Sequence, residues 1–448
     1  MDRRTFLAGA LGAAVASPAA AALNGTDPIV TDAVDPIAGG LDPNLDADQS
    51  ATLQRLLDLA SDDDREIYLP PGAYRVSEVV LPPRTRLAGV PGATRLVFGG
   101  GDFMLAGEGN ELVSLRHLII DGGNRPLAGF VPAVLHLAEA RGVSIDDCVV
   151  ERSGASGIAL DRAAGRVRGT VVRNVAHAGI RAIESAGLTI TDNTVADCGN
   201  GGILVWRWTA GEDGTIVTGN RIERIAADAG GTGQNGNGIN VFRAHGVIVS
   251  GNRISDCAFT AVRANSASNV QITGNNCTKS GEVGIYAEFA FQGAMIANNI
   301  VDTAATGISV TNFSDGGRMA VVSGNIVRNL TGIGPYRAQF GVGIAAEADT
   351  AVTGNVIEDA SRIGIGLGWG PYMRDLAATG NIIRGAPIGI AVSVVEGVGP
   401  AVISDNLISG ANLGAIRGMR WDEAVSGDLA RRNAESFPNL LVERNQVG

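Results

Sequence analysis

A chain of 448 residues is long enough for two or three domains, or for one continuous repeat array that acts as a single domain. The formal net charge of −11 and a pI near 5.0 disfavour a nucleic-acid partner, because phosphate binding requires a basic surface. Sixty-three glycines with only 4% aromatics suit many short strands joined by tight turns.

In chain order, Asp2-Arg3-Arg4-Thr5-Phe6-Leu7 leads into an Ala/Gly/Leu-rich run from Ala8 to Ala16, then Pro18 and Ala19 to Ala22. The apolar run is short for a membrane span and ends in small residues suited to signal-peptidase cleavage. Residues 1–22 are therefore expected to form a signal peptide, with the mature chain starting near Leu23. The paired arginines before Phe-Leu resemble a twin-arginine signal, which a receptor reads and which exports folded proteins. The resemblance implies a periplasmic or secreted protein that meets the twin-arginine export machinery. No later segment has the apolar length of a membrane span, so stable membrane insertion of the mature chain is not expected.

Residues 23–110 are read as an N-terminal cap with the first coils, and 111–417 as repeats. Within the repeats one degenerate phrase recurs. Apolar residues stand five and three positions before an Asn, usually with Gly just before it and an apolar residue two after, and a Gly-Ile-x-Val-like strand follows. The asparagines are Asn193, Asn220, Asn252, Asn275, Asn298, Asn325, Asn355, Asn381 and Asn406, with Cys148 and Thr170 at the same position in two earlier copies. A base period of about 23 residues with variable insertions is the mark of a solenoid. In Val270 to Ala287, Val270 and Ile272 alternate as a strand, Gly274-Asn275 turn, Cys277 points back inside, and Ile285 with Ala287 form another strand. Three short strands per coil bury their apolar sides only when coils stack. The spacing thus predicts an all-β, right-handed parallel β-helix solenoid of about 11 or more coils with a short N-terminal capping helix. Asn is expected at the turn because it tolerates the left-handed conformation, and stacked amides are expected to satisfy one another as a structural ladder. Residues 418–448 lose the period and are read as a C-terminal cap, Trp421 to Phe437 covering the end and Leu441 to Gln446 adding a last strand.

The lead-in, Leu53-Gln54-Arg55-Leu56-Leu57-Asp58 and then Ile67-Tyr68-Leu69-Pro70-Pro71-Gly72-Ala73-Tyr74-Arg75-Val76, resembles the pectate-lyase-like superfamily. That resemblance implies a short helix covering the first coil, which would otherwise expose strand edges. The paired arginines together with the Asn-rich repeat are similar to a family of exported repeat proteins of unknown function, which implies cofactor-binding repeats. The residues themselves make no cofactor evident. Gly230-Gly231-Thr232-Gly233 lacks the strand-to-helix context of a phosphate loop.

The phrase also serves as a ruler. With the Ile of Gly-Ile inward, the next residue points outward: His136, Ala159, Arg181, Leu204, Asn240, Arg263, Tyr286, Ser309, Ala345, Gly366 and Ala391. Two further on come Ala138, Asp161, Ile183, Trp206, Phe242, Asn265, Glu288, Thr311, Glu347, Gly368 and Ser393. Arg, aromatic and amide groups concentrate between about residues 170 and 290, beside insertions at Arg207 to Gly214 and Ala226 to Gly236, and the later positions fade to Gly, Ala and Ser. A flat outer sheet walled by such loops is the natural binding platform. Arg181, Trp206, Trp208, Asn240, Phe242 and Asn265 are the candidate substrate-binding residues, aromatics stacking on sugar faces and Arg pairing a carboxylate by its fork. For uronate chemistry, Arg263 is the candidate to neutralise the carboxylate, Tyr286 on the next rung to move a proton, and Glu288 to serve as the nearest acid.

No Asp-Asp followed by Gly-His-Gly suggests a polygalacturonase, and no run of outward Asp on consecutive rungs suggests a calcium-dependent lyase. Cys148, Cys198, Cys257 and Cys277 have no metal-ligand spacing and are expected as small buried thiols, so no metal site is expected. His136 projects from the platform, while His117, His177 and His245 read as structural. The reading favoured is an exported protein that binds an acidic polysaccharide of the cell envelope, with lyase, hydrolase or epimerase chemistry as its enzymatic form. A non-enzymatic scaffold or adhesin and a cofactor-binding repeat protein are the alternatives.

Overall fold

A computed structural model describes residues 33–43, 45–231, 233–312, 316–336, 340–432 and 434–448. The expected signal peptide at 1–22 lies outside the described residues. From residue 67 onward the chain winds in coils of three short strands, each pairing in parallel with its counterpart in the coils before and after. One face is a 15-stranded parallel sheet running from Ile67–Tyr68 to Leu440–Glu443. The second face includes Thr194–Cys198, Arg221–Ile225 and Arg253–Cys257; the third, the platform, includes Ala178–Ile183, Gly201–Glu212 and Asn237–His245. The predicted β-helix is the observed fold, and one helix, Ser50–Asp62, buries Leu53, Leu56 and Leu57 beside the first strands. No described helix is long and apolar enough to cross a membrane.

The interior is a set of stacked columns. Ile180, Ile203, Ile239, Val262, Ile285, Ile308, Ile344, Ile365 and Ile390 follow one another at full burial, each worth about 1.5–3 kcal/mol of apolar transfer. The glycine before most of these residues is required by space rather than by backbone angle. A Cβ on Gly307 would lie 2.3 Å from the Gly343 carbonyl oxygen and 2.3 Å from Val327 Cγ1, and Gly202, Gly343 and Gly364 face the same obstruction. Gly307→Ala is therefore expected to lower stability by about 3 kcal/mol through forced separation of two coils, read as a drop in the urea midpoint. An unchanged midpoint would show that the coils can spread without cost.

The asparagine ladder is present, with one shift of register. Asn275 donates from both its backbone N–H and Nδ2 to Asn299 Oδ1, at 2.9 and 3.0 Å, and Nδ2 also reaches the Val249 carbonyl at 3.0 Å. The same three contacts recur at Asn193, Asn220, Asn252, Asn299, Asn325, Asn355, Asn381 and Asn406. The ladder residue of the fifth asparagine copy is thus Asn299, not Asn298. Asn298, with φ 58°, holds the left-handed position that Gly251, Gly274 and Gly324 take in neighbouring copies. The turn's left-handed residue is thus the one before the ladder Asn, which corrects the expected reason for Asn there. Asn445, absent from the sequence-based set, ends the column by accepting from Asn406. At the other end Thr170 donates its N–H to Asn193 Oδ1 at 2.9 Å, and Cys148 its N–H to Thr170 Oγ1 at 3.3 Å, so both occupy the ladder position.

The four cysteines are buried and free. Cys198 and Cys257 stand two coils apart with Ile225 between them. Burial pushes the thiols of Cys148, Cys198 and Cys277 up to about 12, which keeps them unreactive as nucleophiles at neutral pH. The C-terminal residues form an antiparallel hairpin, Gly414–Arg420 with Glu423–Asp428, before the last parallel strands Leu440–Glu443 and Gln446–Val447.

Candidate functional site

The platform register places side chains as the ruler requires. Ala159, Arg181, Leu204, Asn240, Arg263, Tyr286 and Ser309 are successive cross-strand partners, as are Asp161, Ile183, Trp206, Phe242, Asn265 and Glu288. Neighbouring rungs lie ~4.8 Å apart, so each side chain touches those above and below it. The strand Gly201–Glu212 is long because it continues past the platform edge, and this extension carries Trp208 beside Trp206. Trp206 meets Trp208 edge-on at 6.1 Å between ring centroids and Phe242 edge-on at 6.2 Å.

Two clefts of about 540 Å³ each share Trp206 and Trp208 in their walls. One is bounded by Arg181, His177 and Asn200 and by the loop from Leu127 to Pro132. The other holds Asn240, Phe242, Arg263 and Asn265, with Gly233 and Gln234 of the 226–236 insertion and Phe289 at its rim. All six predicted binding residues are therefore brought together around the indole pair.

Arg181 lies with Nη2 at 3.8 Å from Asp161 Oδ1, while its Nε has no hydrogen-bond partner among the described residues. Asp161 also accepts His136 Nε2 at 2.9 Å. Arg263 is held quite differently. Its Nε and Nη2 clasp Glu288 at 2.6 and 3.0 Å, its Nη1 donates to the Gly233 carbonyl at 2.9 Å, and Glu282 stands 3.5 Å away. Glu288 also accepts Asn265 Nδ2 at 2.7 Å, and Glu282 accepts Thr260 Oγ1 at 2.8 Å and the Tyr336 hydroxyl. Both carboxylates are 1% exposed. Burial opposes the charge on Arg263, yet hydrogen bonding and attraction from Glu288 outweigh it and raise its pKa. Burial lifts the Tyr286 hydroxyl to about 12, beneath an Arg263 guanidinium 5.1 Å from its ring centre.

The candidate catalytic residues Arg263, Tyr286 and Glu288 are thus adjacent, but the Arg263 fork is already engaged by Glu288. A substrate carboxylate seeking that fork must compete with a carboxylate already in place, and Tyr286 keeps its proton at neutral pH. Glu282 and Tyr336 escaped the sequence reading because both lie outside the outward positions of the ruler: Glu282 precedes the Gly-Ile pair and Tyr336 sits on an aperiodic connection. Asp161 is in the outward set but precedes the stretch between about residues 170 and 290 on which the sequence reading centres. Among the described residues no group of His, Cys, Asp and Glu is arranged to hold a metal ion.

Comparison with known proteins bears on the architecture. The family described as a right handed beta helix region matches residues 109–222 and 208–372, more than half of the chain. No curated protein matches it by sequence. Among solved structures, the A-module of Azotobacter vinelandii mannuronan C-5 epimerase AlgE6 is 17% identical over 83% of this chain and 98% of that one, with a TM-score of 0.45. PfbA, a surface adhesin of Streptococcus pneumoniae, is 14% identical over 88% of this chain and 95% of that one, with a TM-score of 0.49. The catalytic unit of a GH87 α-1,3-glucanase from Streptomyces thermodiastaticus is 10% identical over 93% and 70%, with a TM-score of 0.44. At such identities the likeness concerns the coiled architecture alone.

Proposed function

We propose that this chain, which belongs to the right-handed β-helix family, is an exported protein that binds an acidic polysaccharide across the Trp206–Trp208 pair. The observation that carries the reading is the indole pair itself, standing between two clefts with Arg181 in one and Asn240 and Asn265 in the other. Flat aromatic faces suit the C–H faces of sugar rings, the amides suit hydroxyls, and the incompletely partnered Arg181 suits a uronate carboxylate. In this reading Arg263 and Glu288 stiffen the floor instead of reacting. The twin-arginine segment belongs to the same proposal, and N-terminal sequencing of the exported protein should find a start near Leu23.

The test is calorimetric titration of the mature protein with oligomers of polygalacturonate and alginate and with a neutral glucan. Trp208→Ala is expected to weaken binding about tenfold, or ~1.4 kcal/mol, for any glycan that crosses the indole pair. Arg181→Met is expected to weaken acidic oligomers alone. Absence of binding to every oligomer defeats the reading, and equal affinity for the neutral glucan removes its acidic part. A modifying activity has one observation in its favour, the His136–Asp161 hydrogen bond at 2.9 Å on the same platform. Ultraviolet absorbance from unsaturated uronates, abolished in His136→Ala, would make the protein a lyase.

A further inference from the structure

All four tryptophans of this chain lie on the platform side, in two edge-on pairs. The second pair, Trp369 and Trp421, has ring centroids 5.5 Å apart at 74° and stands where the platform residues shrink to Ala345, Gly366 and Ala391. The small side chains are the floor of a recess. That floor, the two indoles and Met419 line a pocket of about 170 Å³, with Arg362, Asp422 and Glu347 also in its wall. Five rungs separate Asn240 from Gly366, which at ~4.8 Å per rung is ~24 Å along the axis.

The backbone is shaped to seat these rings. Trp421 occupies the tip of the C-terminal hairpin at φ 55°, a conformation that bulky residues avoid at a cost of order 1–3 kcal/mol. Gly370, at φ 54°, lies directly against it, and a Cβ there would stand 2.4 Å from the Trp421 ring. Charge selects the guest. The recess walls are mostly apolar, so an anionic guest would lose its water there with little to replace it, and the Arg362 guanidinium in the wall already stands 3.8 Å from Asp422 Oδ1. A recess of this volume, open on one side, seats a single sugar ring.

We infer that the Trp369–Trp421 recess is a second carbohydrate subsite, selective for a single uncharged pyranose ring, set ~24 Å from the first cleft. The inference rests on the reading of the platform as a glycan-binding surface and extends it. The acidic stretch of the glycan lies over Trp206 and Trp208, and a neutral unit of the same chain, or a neutral branch, fills the recess.

The distribution of indoles supplies the test. A Trp206→Phe/Trp208→Phe protein fluoresces only from the second pair, and a Trp369→Phe/Trp421→Phe protein only from the first. Each is titrated with the methyl pyranosides of glucose, galactose and mannose, with methyl glucopyranosiduronate, whose carboxylate is free, and with polygalacturonate oligomers. In the first variant a saturable change with at least one neutral glycoside is expected, with methyl glucopyranosiduronate at least tenfold weaker. Gly366→Val added to that variant fills the floor and should abolish the change. A Cβ at Gly366 meets only Val342 Cγ1, at 3.7 Å, so the fold accepts the substitution. No saturable response to the neutral glycosides, an equal response to glucuronate, or a response surviving Gly366→Val overturns the proposal. A response to polygalacturonate in the second variant, with silence in the first, leaves the proposed function standing and removes this subsite alone.

Discussion

Asn299→Ala is expected to destabilise the protein by about 4 kcal/mol, whereas Asn298→Gly, one residue away, changes stability by no more than about 0.5 kcal/mol. The first substitution removes an amide whose Nδ2 donates to the Ile272 carbonyl at 2.9 Å and to Asn325 Oδ1 at 3.0 Å. Its Oδ1 accepts both the N–H and the Nδ2 of Asn275, at 2.9 and 3.0 Å. The groups left behind lie in a column 0–1% exposed, where water cannot replace the lost partners. An unsatisfied buried donor or acceptor costs about 1–3 kcal/mol, and at least two are created. Asn298→Gly instead places at φ 58° the residue that Gly274 and Gly324 already supply in adjacent copies. Urea midpoints of the two variants make the comparison. Equal losses would show that the column does not pass through Asn299.

The second large effect is at Arg263. Arg263→Ala is expected to lower stability by about 3–5 kcal/mol, because Glu288 and Glu282 would remain buried at 1% exposure without their cation. Arg263→Met, which keeps the packing of the stem but not the charge, identifies the cause and is expected to lose nearly as much in the urea midpoint. Recovery of the midpoint in Arg263→Met would mean that lost side-chain contacts, not bared charge, are responsible. The consequence for testing the proposed function is practical: Arg181→Met probes the proposed recognition, while Arg263→Ala disturbs the floor under it.

The coil architecture was legible because each structural requirement leaves a periodic trace. A glycine without room for Cβ, an apolar residue inward and a ladder amide recur together, and the outward positions follow by alternation. The register from Ala159 to Ser309 came from this alone. The misplacement at Asn298 has a local cause: with two adjacent asparagines, either matches the phrase, and only the bonds of Asn299 decide between them. Contacts made by insertions left no trace. That Gly233 covers Arg263, or that Tyr336 reaches Glu282, depends on how aperiodic segments fold back over the sheet. The Trp369–Trp421 recess was hidden for a related reason. Its floor of Ala and Gly reads as featureless in a list of outward residues, and one of its walls comes from the hairpin beyond the period.

The parallel pairing of every coil with its two neighbours gives the molecule a mechanical grain. The covalent chain runs around the coil, while backbone hydrogen bonds and the amide column run along its axis. A load pulling the two ends apart is therefore resisted by non-covalent bonds between stacked coils rather than by covalent backbone. Coils peel from the ends one at a time, and each releases about 23 residues, or roughly 80 Å of extended chain. A polymer gripped across the platform loads many coils together, side by side. The protein is thus tough where it would hold a strand and extensible where its own ends are pulled.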